Sequence, residues 1–426
     1  MIVIRGISMV ISFLYVPLLL HALETDAYAI WLTLTSIVSW IVMFDVGIGN
    51  GLRNRLSETL ARQEIKEAQS FVSTAYISIL IIGIIICAFF IFSVRLINWA
   101  SVLNATLLPL KTINILVIVV GMGFIAHFLL GLINSILLSL KLPALSSLIG
   151  CLGQLLSYLV VLWFVKIIHN YDLILLCSII SFVPAIVLLV ATFAVFNGRY
   201  SYLKPKITYF DKSKLQDIFS VGLNFFWLQI ITIILFQLNN FIITHTVGPT
   251  AVVQYNICYK YLYTLVTIYT LICTPFWSAS THEYTSGNLK WISDVNLKLI
   301  KIGGILVLVG IAMVLLAPVI YQIWLKNDYP EIPSSTNVLM LLYCVFMIFY
   351  SANGYIINGI GKLRLQTIIT TMLALVYLPM AIYGGKLYGL NGVLVALIFN
   401  ATINSIWSYI QLRKLVNNTA SGIWIK

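Results

Sequence analysis

The sequence predicts an all-α integral membrane protein of about twelve transmembrane helices, and three observations carry that expectation. Hydrophobic residues make up 61% of the chain and charged residues 9%, with a mean hydropathy of +1.02. A soluble chain carries about 25% charged residues. Apolar runs long enough to cross a bilayer recur at 2–20, 28–47, 71–94, 113–139, 143–165, 173–196, 218–244, 250–278, 299–325, 336–358, 366–384 and 391–411. If every run crosses, 19 of the 25 Lys and Arg residues fall on one side, five on the other, and Lys260 stays inside a run. The positive-inside rule makes the richer side cytoplasmic, with both termini on it.

The net charge of +12 follows from this topology, because the acids on the poorer side balance its cations while the other side keeps its excess. It is therefore no sign of nucleic-acid binding. The six cysteines all lie within apolar runs with no C-x-x-C pair, so they read as small core residues rather than a disulfide framework. No cluster has metal-ligand spacing, and no cofactor is implied. A cleavable signal ending at Ala27-Tyr28-Ala29 is the competing reading of the first run, but its early positive charge, Arg5, lies within the run.

Taken in order, the first run sets Arg5, Ser8, Ser12 and Tyr15 on one helical face. Such a polar stripe faces a bundle interior or a wet cavity, or else serves interhelical hydrogen bonds with a snorkelling arginine. The second run leads into Asp45-Val46-Gly47-Ile48-Gly49-Asn50-Gly51-Leu52-Arg53-Asn54, whose glycines allow close packing or a break. From Leu52 to Ala68, charges alternate with spaced apolar residues, which predicts a helix lying on the cytoplasmic interface. His127 falls near the centre of the fourth run, as a core histidine or a proton carrier. The polar, basic segment 197–215 then reads as a linker between two lobes, 1–200 and 201–426.

The second half echoes the first. At an offset of 224, His21 falls on His245 and the second run on the eighth; at 221, Lys141 falls on Lys362. Six crossings preserve orientation, so the repeats are parallel and related by an axis along the membrane normal. The chain is organised around 250–284, expected as one continuous helix. Within it Tyr255, Tyr259 and Tyr263 repeat at i, i+4 and i+8, sharing a face with Lys260 beside them. A cation at that depth costs a few kcal/mol and needs a partner or a wet cavity. An aromatic face with a buried cation suits an anionic, sugar-bearing ligand; the alternative is a snorkelling lysine among packing tyrosines.

Several stretches together resemble a known family. They are Pro17-Leu18-Leu19-Leu20, Tyr28-Ala29-Ile30-Trp31, Asp45 to Asn54, Tyr255-Asn256-Ile257, Tyr259-Lys260-Tyr261, Pro275-Phe276-Trp277-Ser278-Ala279 and Asn358-Gly359-Ile360-Gly361-Lys362. They are similar to Wzx-type O-antigen and polysaccharide repeat-unit flippases of the multidrug/oligosaccharidyl-lipid/polysaccharide exporter superfamily. The resemblance implies two pseudo-symmetric six-helix lobes in a V-shaped, MATE-like arrangement around a cationic lumen. It implies a non-enzymatic flippase in the bacterial inner membrane, carrying undecaprenyl-pyrophosphate-linked oligosaccharide. Membrane lipid, a polysaccharide polymerase and a chain-length regulator are the partners it suggests. The candidate substrate-binding residues are Arg5, Tyr15, Arg53, Tyr255, Tyr259, Lys260 and Tyr263, with His127 the candidate for coupling. One departure is Gln237-Leu238-Asn239-Asn240, where relatives often carry an aspartate before the last asparagine.

Two other classes stay open. A drug exporter of the same superfamily normally needs a membrane carboxylate, and Lys260 would repel a cationic drug. A membrane glycosyltransferase or polymerase would need acidic or metal chemistry in a loop, yet the 13 acids form no D-x-D pair.

Overall fold

Lipid offers no hydrogen-bond partner, so a chain this apolar must close its backbone bonds within helices. The computed structural model, which describes residues 2–42, 48–105, 108–169, 171–217, 238–326 and 328–425, is built that way. Its helices are α1 (Ile2–Val42), α2 (Ile48–Ala61), α3 (Ile65–Leu96), α4 (Trp99–Val102), α5 (Leu110–Ser139), α6 (Pro143–Trp163), α7 (Leu173–Asn197), α8 (Leu238–Thr246), α9 (Pro249–Leu262), α10 (Thr264–Thr285), α11 (Leu289–Leu325), α12 (Ser334–Ile360) and α13 (Arg364–Val416). Asp45 and Gln237, and most of the seventh predicted span, lie outside the described residues.

Among the described residues eight helices are long and apolar enough to cross a membrane, and the bent pair α9–α10 makes a ninth. Two of the eight are too long for one crossing. At about 1.5 Å per residue, the 41 residues of α1 and the 53 of α13 far exceed a hydrocarbon core of about 30 Å. Each contains one non-helical reversal, at Glu24 (φ 58°, ψ 172°) and Gly389 (φ 61°, ψ −145°). Each therefore carries two spans, giving eleven among the described residues.

The turns reveal the internal repeat more sharply than the letters do. Among the described residues ten of the twelve left-handed φ values fall in pairs: Glu24 and Gly248, Gln63 and Gly287, Asn104 and Lys326, Lys141 and Gly361, His169 and Gly389. The partners are 224, 224, 222, 220 and 220 positions apart. Each pair marks the same turn in the two halves, because reversing a helix over a few residues demands one left-handed residue there. Four of the five second-half positions are glycine, which accepts that conformation without Cβ strain.

The chain divides into two compact units, Met1–Phe241 and Ile242–Lys426. In the first, Leu52 and Leu56 of α2 are fully buried with Phe71 and Val72 of α3 and with Leu132, Ile133 and Ile136 of α5. This corrects the expected interfacial helix over Leu52–Ala68. The helix ends at Ala61, a turn with Gln63 left-handed follows, and Lys66, Glu67 and Ala68 begin α3. The apolar spacing in α2 serves helix packing rather than lipid. The 197–215 segment runs along the start of α3: Gln69 Nε2 donates to Lys204 O (2.8 Å), Ser70 Oγ to Tyr209 O (2.9 Å) and Asp211 N to Thr74 Oγ1 (3.0 Å). Lys214 pairs with Glu67. Asp211, outside the spans, is held below the usual carboxylate range chiefly by the Ser213 hydroxyl and amide that donate to it.

In the second unit two of the sequence motifs meet. A Cβ added at Gly359 would lie 2.3 Å from Trp277 O, and Thr281 Oγ1 donates to Gly359 O at 2.7 Å. The first unit shows the equivalent crossing, where Ser139 Oγ donates to Arg53 O at 3.1 Å. Arg53 to Trp277 and Ser139 to Gly359 again differ by 224 and 220 positions. Gly359→Ala therefore overpacks a backbone contact and is expected to cost about 1–3 kcal/mol, read as a lower Tm of the detergent-solubilised protein. Gly150→Ala, where nothing lies within 4 Å of the added carbon, is expected to leave Tm unchanged.

Candidate functional site

The central segment is not one helix. α9 and α10 meet at Tyr263 with a bend of 40°, which corrects the continuous helix expected over 250–284. Tyr263 has φ −67° and ψ −12°, short of the ψ near −42° that continues an α-helix. Proline and glycine are not at the bend; threonine hydroxyls add hydrogen bonds to it. Thr264 Oγ1 donates to Lys260 O at 2.8 Å and Thr267 Oγ1 to Tyr263 O at 3.2 Å. Such back-bonding hydroxyls bend helices, and beside them the backbone bonds from Tyr263 N to Tyr259 O (2.8 Å) and from Thr267 N to Tyr263 O (3.0 Å) persist.

The break changes what Lys260 is. It lies in the last turn of α9, about 16 Å along the helix from Pro249 at 1.5 Å per residue. A helix C-terminus carries a partial negative charge, which favours a cation in the final turn by about 0.3–2 kcal/mol. The helix end that stabilises the ammonium therefore lies within the span. Lys260 is half-buried.

Around α9 the tyrosines sort into two groups. On one side Tyr255 and Tyr259 have ring centroids 5.6 Å apart at 31°, Tyr259 and Tyr263 4.5 Å at 15°, and Tyr263 and Tyr343 of α12 6.0 Å at 19°. This is a four-ring ladder within the second unit. On another side Tyr261 packs edge-on to Tyr321 at 5.3 Å and donates from its hydroxyl to Met313 O at 3.1 Å. Tyr321 in turn donates to Asn337 Oδ1 at 2.7 Å. These contacts hold α9 between α11 and α12, so the ladder is fixed in place. Tyr343 was not legible in the sequence: one tyrosine among 23, on a helix whose facing partner no local pattern reveals.

The first-unit candidates lie on three helices, α1, α2 and α5. Arg5 is exposed near the start of α1, and Tyr15, half-buried ten residues on, packs edge-on to Tyr158 at 5.3 Å. Arg53 is exposed on α2, one position from buried Leu52. His127 is exposed on α5 between buried Ile125 and Phe128. Asn239 is buried, and Asn240 Nδ2 donates to Ser36 Oγ at 2.7 Å. The structure thus joins Tyr255, Tyr259, Tyr263 and Tyr343 in one ladder, with Lys260 on the same helix one residue from Tyr259.

The family described as polysaccharide biosynthesis protein matches residues 1–279. A Yersinia pseudotuberculosis protein named for O-antigen export is 25% identical over 421 residues, covering 95% of this chain and 92% of its own length. A Salmonella typhimurium protein named for O-antigen transport is 24% identical over 406 residues, covering 91% and 89%. Among solved structures, an inward-facing multidrug resistance MATE family transporter of the MOP superfamily aligns with a TM-score of 0.77 at 17% identity, covering 98% of this chain and 99% of that one. A MOP superfamily transporter from Pyrococcus furiosus, whose binding pocket is described as reversed in polarity, aligns at 0.67 and 18%, covering 99% and 95%. At these identities the structures establish the fold. With a family match over well over half its length, a MATE-like helical fold and full-length relatives named for O-antigen traffic, the chain is a membrane transport protein that belongs to the polysaccharide biosynthesis protein family.

Proposed function

We propose that this protein is a flippase that moves undecaprenyl-pyrophosphate-linked oligosaccharide repeat units from the cytoplasmic to the outer leaflet of the bacterial inner membrane. It does so by alternating access through a cationic lumen, its two six-helix lobes (1–200 and 201–426) moving about the 197–215 linker. The observation that carries this reading is Lys260, a cation held at a helix end inside the span and flanked by a tyrosine ladder. A pyrophosphate needs a cation on its path, and saccharide needs polar aromatic surface. The relatives named for O-antigen export and transport support the substrate class. Arg5, Tyr15 and Arg53 extend the path on the first lobe, and a polymerase and chain-length regulator take the product onward.

A drug exporter is the competing reading, favoured by the MATE fold. It accounts poorly for Lys260, which repels a cationic drug. Among the described residues the acids lie in turns or within two turns of a helix end. Coupling, if protonic, falls to His127, exposed on a helix with buried neighbours on both sides.

Three outcomes test these assignments. In a flippase-deficient strain, at matched membrane levels, Lys260→Arg is expected to keep substantial export because a guanidinium also binds phosphate. Lys260→Gln is expected to lose about tenfold or more, the loss of a charge-assisted contact; full complementation by Lys260→Gln would retire the electrostatic role. Reporter fusions after Lys66, Lys206 and Lys290 are expected to read cytoplasm, and fusions after Asp26 and Asp172 the exterior. An external signal from the 197–215 linker contradicts the two-lobe topology. His127→Ala is expected to flatten the pH dependence of flipping between about pH 5 and 8; an unchanged profile leaves His127 a packing residue.

A further inference from the structure

Tyrosine can meet a sugar in two ways, by laying its ring face on the sugar's C–H surface or by hydrogen bonding through its hydroxyl. The ladder distinguishes them. Tyr259 has Tyr255 at 5.6 Å, tilted by 31°, and Tyr263 stacked on it at 4.5 Å, the three rings following one another along α9. Tyr263 has Tyr259 on one side and Tyr343 at 6.0 Å beyond it. Both inner rings are therefore flanked by other tyrosines along the row, and Tyr259 and Tyr263 stack closely on each other. The end rings, Tyr255 and Tyr343, are buried at 4% and 3% exposure, while Tyr259 and Tyr263 keep accessible surface. What the inner rings can offer a ligand is their edges and hydroxyls. A phenol hydroxyl can both donate and accept, so each has capacity to bond a sugar hydroxyl.

We propose that this face recognises saccharide by hydrogen bonds from a rail of stacked phenols, not by aromatic stacking. Tyr259 and Tyr263 bind sugar hydroxyls, and Tyr255 and Tyr343 brace the rail. The proposal rests on the reading of the α9 face as substrate surface and adds a division of labour to it. The neutral phenols recognise the sugar, and Lys260, one residue from Tyr259, recognises the anionic pyrophosphate. Successive hydroxyl-bearing residues rise by about 6 Å along the helix axis, so a sugar leaving one phenol finds the next along the direction of transport.

The test is binding by the full-length protein in nanodiscs, with two probes. One is the undecaprenyl-pyrophosphoryl oligosaccharide extracted from the source bacterium lacking this gene; the other is bare undecaprenyl pyrophosphate. Tyr259→Phe, which keeps the ring in the stack, is expected to weaken the oligosaccharide lipid about two- to tenfold, the range of one hydrogen bond, and to leave the bare lipid unchanged. Lys260→Gln is expected to weaken both. If Tyr259→Phe binds both lipids like the wild type while Tyr259→Leu loses the oligosaccharide lipid, recognition is by ring faces and the rail is wrong. If Lys260→Gln and both Tyr259 variants bind both lipids at wild-type affinity, the α9 face is not the substrate surface, and the rail falls with that reading.

Discussion

In the hydrocarbon core a backbone group has only the protein to bond to, and that scarcity shapes each irregular feature described above. Chain reversals collect in short turns with a single left-handed residue, so few amides and carbonyls leave the helical pattern. Where α9 gives way to α10 inside a span, Thr264 and Thr267 place hydroxyls on the carbonyls of Lys260 and Tyr263. The break is tolerable because backbone bonds continue across it, from Tyr263 N to Tyr259 O and from Thr267 N to Tyr263 O, with the hydroxyls added to them. Its electrostatic consequence is a helix C-terminus at membrane depth, which is where Lys260 stands.

The same site shows why position on a helix says little about accessibility. A row of tyrosines at i, i+4 and i+8 invites the idea of an aromatic platform. In the folded unit those rings flank one another and Tyr343, so they serve internal packing. Offset-stacked rings gain about 0.5–1.5 kcal/mol per pair beyond their buried area, which makes the ladder a rigid element rather than an adaptable one. A rigid row of phenols beside a fixed cation can bind a flexible oligosaccharide without first ordering itself.

The two halves are related by backbone more than by side chains. Five turns recur at offsets between 220 and 224, although four of the five first-half residues, Glu24, Gln63, Lys141 and His169, face glycine in the second half. The crossing of Arg53 with Ser139 recurs as that of Trp277 with Gly359, with a hydroxyl contact in one and bare backbone approach in the other. Each lobe thus keeps the helix crossing and the turn geometry while its side chains diverge. Only the second carries the lysine and the tyrosine ladder.

Much of this was determined by the sequence alone. Hydropathy marks the spans because transfer of an apolar run into lipid depends on composition; the repeat shows in span order and loop length. Lys260 and its three neighbouring tyrosines stand out because a cation in an apolar run is costly wherever the run lies. The tertiary structure alone decided the rest. The bend at Tyr263 arises from threonine hydroxyls whose bonding to the preceding turn is one option among several in a sequence. The spacing in α2 that suggests an interfacial helix is the same spacing that packing against α3 and α5 requires. Tyr343 joins the ladder across 80 residues, by its contact with Tyr263, because α12 packs beside α9. Local periodicity fixes which face a residue occupies, but what covers that face is a long-range contact.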